Sequence, residues 1–91
     1  MTNMPLDVHA FQLACEQHSS EENAELYAKL IEEEFNEFKK ALLDEDNVEQ
    51  LDACMDMIWV ILGYCHMKKF KASLAWDEVA KSNFAKVDKE T

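Results

Sequence analysis

The chain has 91 residues, enough for one domain with a modest core, yet 48% of them are hydrophobic. One Gly, one Pro and few β-branched residues exclude a sheet with tight turns and leave long uninterrupted helices. A net charge of -10, from 19 acids against 9 Lys and Arg, excludes a general binder of nucleic acid polymers, which would be repelled over most of the surface.

The expected architecture is a single all-α domain over residues 1–91, built as a four-helix, bundle-like assembly of hairpins. Its apolar content exceeds what so small a protomer readily buries, so an oligomer is expected. The first 30 residues carry neither a signal peptide nor a transmembrane run, and Cys15, Cys54 and Cys65 form no CxxC pair. A cytoplasmic protein with reduced thiols and no membrane partner is the expectation.

The first helix is expected from Pro5 to His18, with Pro5 in its opening turn and an apolar line of Val8, Phe11 and Cys15, supported by Leu6 and Leu13. Ser19 and Glu22 have the spacing of a capping box and start a second helix that runs to about Leu43. Asp44-Glu45-Asp46-Asn47 breaks the chain, and Asp46 caps a third helix that reaches about Met67. Lys68, Lys69 and Lys71 then place positive charge at its C-terminal dipole. Ser73 caps a fourth helix over about Leu74 to Val87, beyond which the last residues fray.

On the second helix Tyr27, Leu30, Ile31, Phe35, Phe38, Ala41 and Leu42 make one apolar stripe. Glu34 falls inside that stripe, Glu37 lies on its edge and Glu33 sits just outside it. A carboxylate among apolar side chains is costly unless it is paired, protonated or bound to a metal. The third helix is apolar around nearly its whole circumference, as a central helix should be. Its one polar wedge holds Glu49, Asp52 and Asp56, and Trp59 and Gly63 continue along it.

Helices joined by a short link pack antiparallel, so the acidic stretches Glu33–Glu37 and Glu49–Asp56 lie at the same end of the hairpin. So many like charges do not all stay ionised without cations. Oxygen-only donors suit magnesium, with manganese as the alternative. The competing interpretations are a solvated face, a capping role for Glu49 and a buried helix–helix hydrogen-bond network. A di-iron bundle needs E-x-x-H pairs that His9, His18 and His66 lack, and Cys15 with His18 is too little for zinc.

Glu33-Glu34-Phe35-Asn36-Glu37 has the form E-E-x-x-E, and Glu49-Gln50-Leu51-Asp52 followed by Asp56 has the form E-x-x-D with a further acid. This order resembles the MazG-like, all-α nucleoside triphosphate pyrophosphohydrolase superfamily. LDACMDMIWVILG, residues 51–63, is similar to that family's second metal-binding helix. Trp76 to Lys86 follows its W-x-E-V-x-x-S-N-x-x-K segment.

The resemblance implies magnesium-dependent hydrolysis of (deoxy)nucleoside triphosphates to monophosphate and pyrophosphate. It implies Glu34, Glu37 and Asp52, with Glu33, Glu49 and Asp56, as metal ligands, and Glu34 or Glu37 as holder of the attacking water. Lys81, Asn83 and Lys86 are the implied contacts to phosphates or sugar, and Trp59 is a candidate for stacking on the base. Whether Glu49/Asp52 or Asp52/Asp56 is the second ligand pair stays open. Homodimers or homotetramers with sites at protomer boundaries are implied too. Ala80 departs from the family's frequent His, and no substrate-covering tail is expected after Lys86. The rival function is a non-catalytic acidic helical module with no magnesium dependence.

Overall fold

The computed structural model describes residues 4–15 and 17–89. Four helices follow in order: α1 Met4–Ala14, α2 Glu21–Leu43, α3 Asn47–Met67 and α4 Ala72–Lys89. No strand occurs among the described residues. Among the described residues no helix is long and apolar enough to cross a membrane.

α1 ends four residues short of His18, and residues 17–20 form neither helix nor strand, with Ser20 itself extended; Glu16 lies outside the described residues, as do Glu90 and Thr91 of the expected fraying. Ser20, rather than Ser19, caps α2: its Oγ accepts from the Asn23 amide at 3.0 Å. The Asn23 side chain turns back to donate to the His18 carbonyl at 2.7 Å. Ser19 is thereby released to donate to the His66 carbonyl at the far end of α3.

The ends flanking the hairpin link follow the sequence closely. Asp46 caps α3, its Oδ1 accepting from the Glu49 amide at 3.1 Å. Between the helices Glu45 takes a left-handed φ of 52°. The Asp46 amide bonds the Ala41 carbonyl and the Glu45 amide that of Leu42, which closes α2 in a Schellman turn. Lys69, with φ 59°, repeats the arrangement after α3.

α2 and α3 pack along their length as the antiparallel hairpin, and α1 lies across α3. The core is small: one cluster sits in the half of the hairpin away from the link, Ala24, Tyr27, Val60 and Met67 with Leu30, Ile31 and Tyr64 against them, and Ala41 and Ala53 are buried nearer the link. Gly63 lets the Tyr27 ring lie directly on the α3 backbone, where an added Cβ would overlap the ring. The Tyr27 hydroxyl donates to Gln17 at 2.6 Å. The open end is clasped by Lys68 and Glu21, 2.9 Å apart.

Two packing expectations need correction. α1 buries Val8 and Gln12, while Phe11, Leu13, Leu6 and Cys15 stay exposed. Gln12, 2% exposed, fits inside because its amide donates to the Gly63 carbonyl at 3.1 Å. α3 is central, between α1 and α2, yet Leu51, Met55 and Ile61 on it remain exposed.

α4 packs against no other helix beyond an isolated contact, so three helices pack and the fourth projects. Two of its aromatics, Trp76 and Phe84, are 71% and 73% exposed. α4 also begins two residues before Leu74, which leaves Ser73 inside the first turn instead of capping it. The radius of gyration, 15.5 Å, exceeds the about 12 Å of a compact chain of this length.

Candidate active site

The carboxylates occupy the half of the hairpin nearest the link. Glu34 is half-buried at the α2–α3 seam, while Glu33, Glu37, Asp52 and Asp56 stand around it with more of their surface in water. The α2 stripe brings Glu34 inward because Ile31 and Phe38, one turn to either side, face the same seam. On α3 the spacing of Asp52 and Asp56, one turn apart, aligns both on one face.

The electrostatics record how close these groups come. Burial first, then the charges of Asp56, Glu37, Asp52 and Glu33, push the Glu34 carboxyl above its ordinary range. Asp56 is raised as well, by partial desolvation first and then by Asp52 and Glu37. Acids from both helices therefore act on one another across the seam. Among the described residues the two ion pairs are Lys68–Glu21 and Lys81–Glu78, so neither supplies a cation to this group.

Glu49 stands apart from this set. It raises neither Glu34 nor Asp56, and its backbone is held in the Asp46 cap. Among the described residues no three His, Cys, Asp or Glu side chains are drawn together tightly enough to hold a metal ion as they stand. The donor chemistry nevertheless fits a hard divalent cation: the donors are oxygens only, they face one another across two helices, and among the described residues no ion pair neutralises them.

The remaining candidates divide between two places. Trp59, one turn beyond Asp56, is 37% exposed and meets the Phe11 ring edge-on at 5.5 Å between centroids. Lys81, Asn83 and Lys86 are exposed on α4 and are not gathered with the carboxylates within the chain. Asn83, expected to face a bundle, has no neighbouring helix there. Lys81 lies 3.7 Å from Glu78 of its own helix.

Against this geometry, residues 10–83 match the family model for phosphoribosyl-ATP pyrophosphohydrolase. The chain belongs to the phosphoribosyl-ATP pyrophosphohydrolase family. The match runs from α1 into α4 and takes in all six candidate carboxylates, Trp59, Lys81 and Asn83, with Lys86 just beyond it. No curated protein and no solved structure gives a significant match. Membership bears out the resemblance at superfamily level, because this family is one of the MazG-like all-α pyrophosphohydrolases. It sets the reaction class as hydrolysis of a phosphoanhydride bond.

Sequence reasoning gave no role to Gln12. Its amide anchors α1 on the turn of α3 that follows Trp59, and a lone Gln in an amphipathic helix carries no signal for that.

Proposed function

We propose that the protein hydrolyses (deoxy)nucleoside triphosphates to the monophosphate and pyrophosphate with magnesium, at a site centred on Glu34. The observation that carries this is the mutual charge pressure among Glu34, Asp56, Glu37, Asp52 and Glu33 across one helix seam. Glu34, Glu37, Asp52 and Asp56 form the proposed ligand set, with Glu33 and Glu49 at its margin. The absence of Glu49 from the group that presses on Glu34 favours Asp52/Asp56 as the α3 pair. Manganese is an acceptable substitute.

When bound, magnesium neutralises phosphate charge and makes water a better nucleophile. Glu34 or Glu37 orients the attacking water and accepts its proton. The water oxygen bonds to the α-phosphorus in line with the departing bridging oxygen. The α–β phosphoanhydride bond breaks, and pyrophosphate leaves with the electron pair. Lys81 and Lys86 offset charge growing on the leaving phosphates, Asn83 bonds phosphate or sugar, and Trp59 stacks on the base.

Because Lys81, Asn83 and Lys86 are remote from the carboxylates of their own chain, we place them at the site of a second copy. The proposed assembly is a homodimer or homotetramer in the cytoplasm, each chain one catalytic domain over residues 1–91. The exposed apolar residues of α4 and of the outer face of α3 supply the surface such contacts need.

The test is incubation of the purified protein with each common NTP and dNTP, and with phosphoribosyl-ATP, with and without magnesium. Magnesium-dependent release of pyrophosphate and the matching monophosphate from the triphosphates is the expected result. Turnover of phosphoribosyl-ATP alone would replace the substrate assignment. No release from any nucleotide by folded protein would sink the proposal and leave a non-catalytic acidic module.

A further inference from the structure

α3 carries a stripe that its own chain leaves partly uncovered. Cys54, Ile58, Ile61 and Cys65 fall within about 60° of the helix circumference, at about 100° per residue. Ile58 and Ile61 are exposed and the two thiols half-buried. α1 meets α3 on another side, at Trp59 and His66. The acids of α3, Glu49, Asp52 and Asp56, lie about 150° or more around the helix from the stripe, which leaves it uncharged.

The spacing reads the same in both directions: Cys, three residues, Ile, two, Ile, three, Cys. An isologous two-fold contact requires a surface that matches itself on reversal. Antiparallel α3 helices with the axis between Trp59 and Val60 set Ile58 against the partner's Ile61 and Cys54 against the partner's Cys65. Exposed Val48 and Leu51 then meet the partner's exposed Phe70. The charges at the two ends agree with this direction. Lys69 and Lys71, just beyond α3, come beside the partner's acidic link Asp44-Glu45-Asp46, and symmetry repeats the match. A parallel pairing would set acidic link against acidic link in chains of net charge -10.

We propose that a second copy packs on this stripe, antiparallel, with Cys54 of each chain beside the partner's Cys65. The inference rests on the two-copy arrangement proposed above and supplies its interface. Because α4 leaves from the end of α3 far from the link, antiparallel pairing starts it beside the partner's link, in the half that holds the partner's carboxylates.

The thiols report the register. Within one chain they are roughly 16 Å apart along α3, and a disulfide needs Cα atoms within about 7 Å. A disulfide between Cys54 and Cys65 is therefore intermolecular. Diamide takes two electrons and two protons from the thiol pair, joins the sulfurs and is itself reduced to the hydrazine. In Cys15→Ser protein it should give a covalent dimer whose peptides link Cys54 to Cys65, reversed by dithiothreitol. Links between like cysteines, or no covalent dimer, would overturn the antiparallel register. Ile61→Asp, with helicity unchanged, should weaken the dimer at least about a hundredfold in sedimentation. A variant dimer as tight as the wild type would overturn the surface itself. Neither readout needs turnover. A Cys54–Cys65 link in protein that releases no pyrophosphate keeps the interface and removes the hydrolysis, and hydrolysis without the link does the reverse.

Discussion

Glu34 holds its proton more tightly than an ordinary glutamate because it is partly buried and faces Asp56, Glu37, Asp52 and Glu33. Its folded pKa lies above the unfolded value, so between the two the folded state keeps a proton that the unfolded chain has released. Stability from this group is complete below the unfolded carboxylate range and is lost as pH rises through the folded pKa. Asp56 acts in the same direction. Metal-free Glu34→Gln should therefore melt at a higher temperature than the wild type at neutral pH, with the gap closing on acidification. Added magnesium should raise the wild-type melting temperature and leave that of the variant nearly unchanged. A variant less stable than the metal-free wild type at neutral pH would show that Glu34 serves packing and not a cation.

The helix ends around the link separate what local sequence determines from what it does not. Asp46 was legible as a cap because a side chain three residues from a free amide closes a local ring, and distant packing has no vote in it. Asp46→Ala should cost about 1 kcal/mol by denaturant titration. The same local logic placed Ser19 one residue early, since Ser19 and Ser20 are both competent caps and only the contact of Ser19 with His66 distinguishes them. Glu45 and Lys69 sit in left-handed backbone that favours glycine. Glu45→Gly should stabilise the protein by up to about 1 kcal/mol, and a loss would mean that the Glu45 side chain has a further task. Gly63 is fixed by the Tyr27 ring, and Gly63→Ala should cost about 1–3 kcal/mol unless the ring moves aside.

The carboxylate group could be foreseen because it lies within one hairpin, where helical periodicity and a short link determine which faces meet. α4 could not, because an amphipathic helix reports that it needs a partner and not which one. Its exposed Trp76, Val79 and Phe84, and the distance of Lys81 and Lys86 from any acid of the seam, point the same way at the level of the assembly. A site completed by a second chain makes a sharp expectation for mixed oligomers. Glu34→Gln and Lys81→Ala should each be strongly impaired alone, and unfolding and refolding them together should restore part of the lost turnover. Mixed material no more active than its components would place the lysine and the glutamate in the same protomer's site, or remove Lys81 from the chemistry. Sedimentation should show a dimer or larger species, with a melting temperature that rises with protein concentration.

The most direct measurement is magnesium-dependent pyrophosphate release from the best nucleotide by the wild type and by Glu34→Gln, with helical content checked in both. Release by the wild type and a fall of at least about a hundredfold in a variant of unchanged helicity would place the chemistry at the hairpin carboxylates. Equal release by the two proteins would take Glu34 out of the reaction and move the search for the site elsewhere.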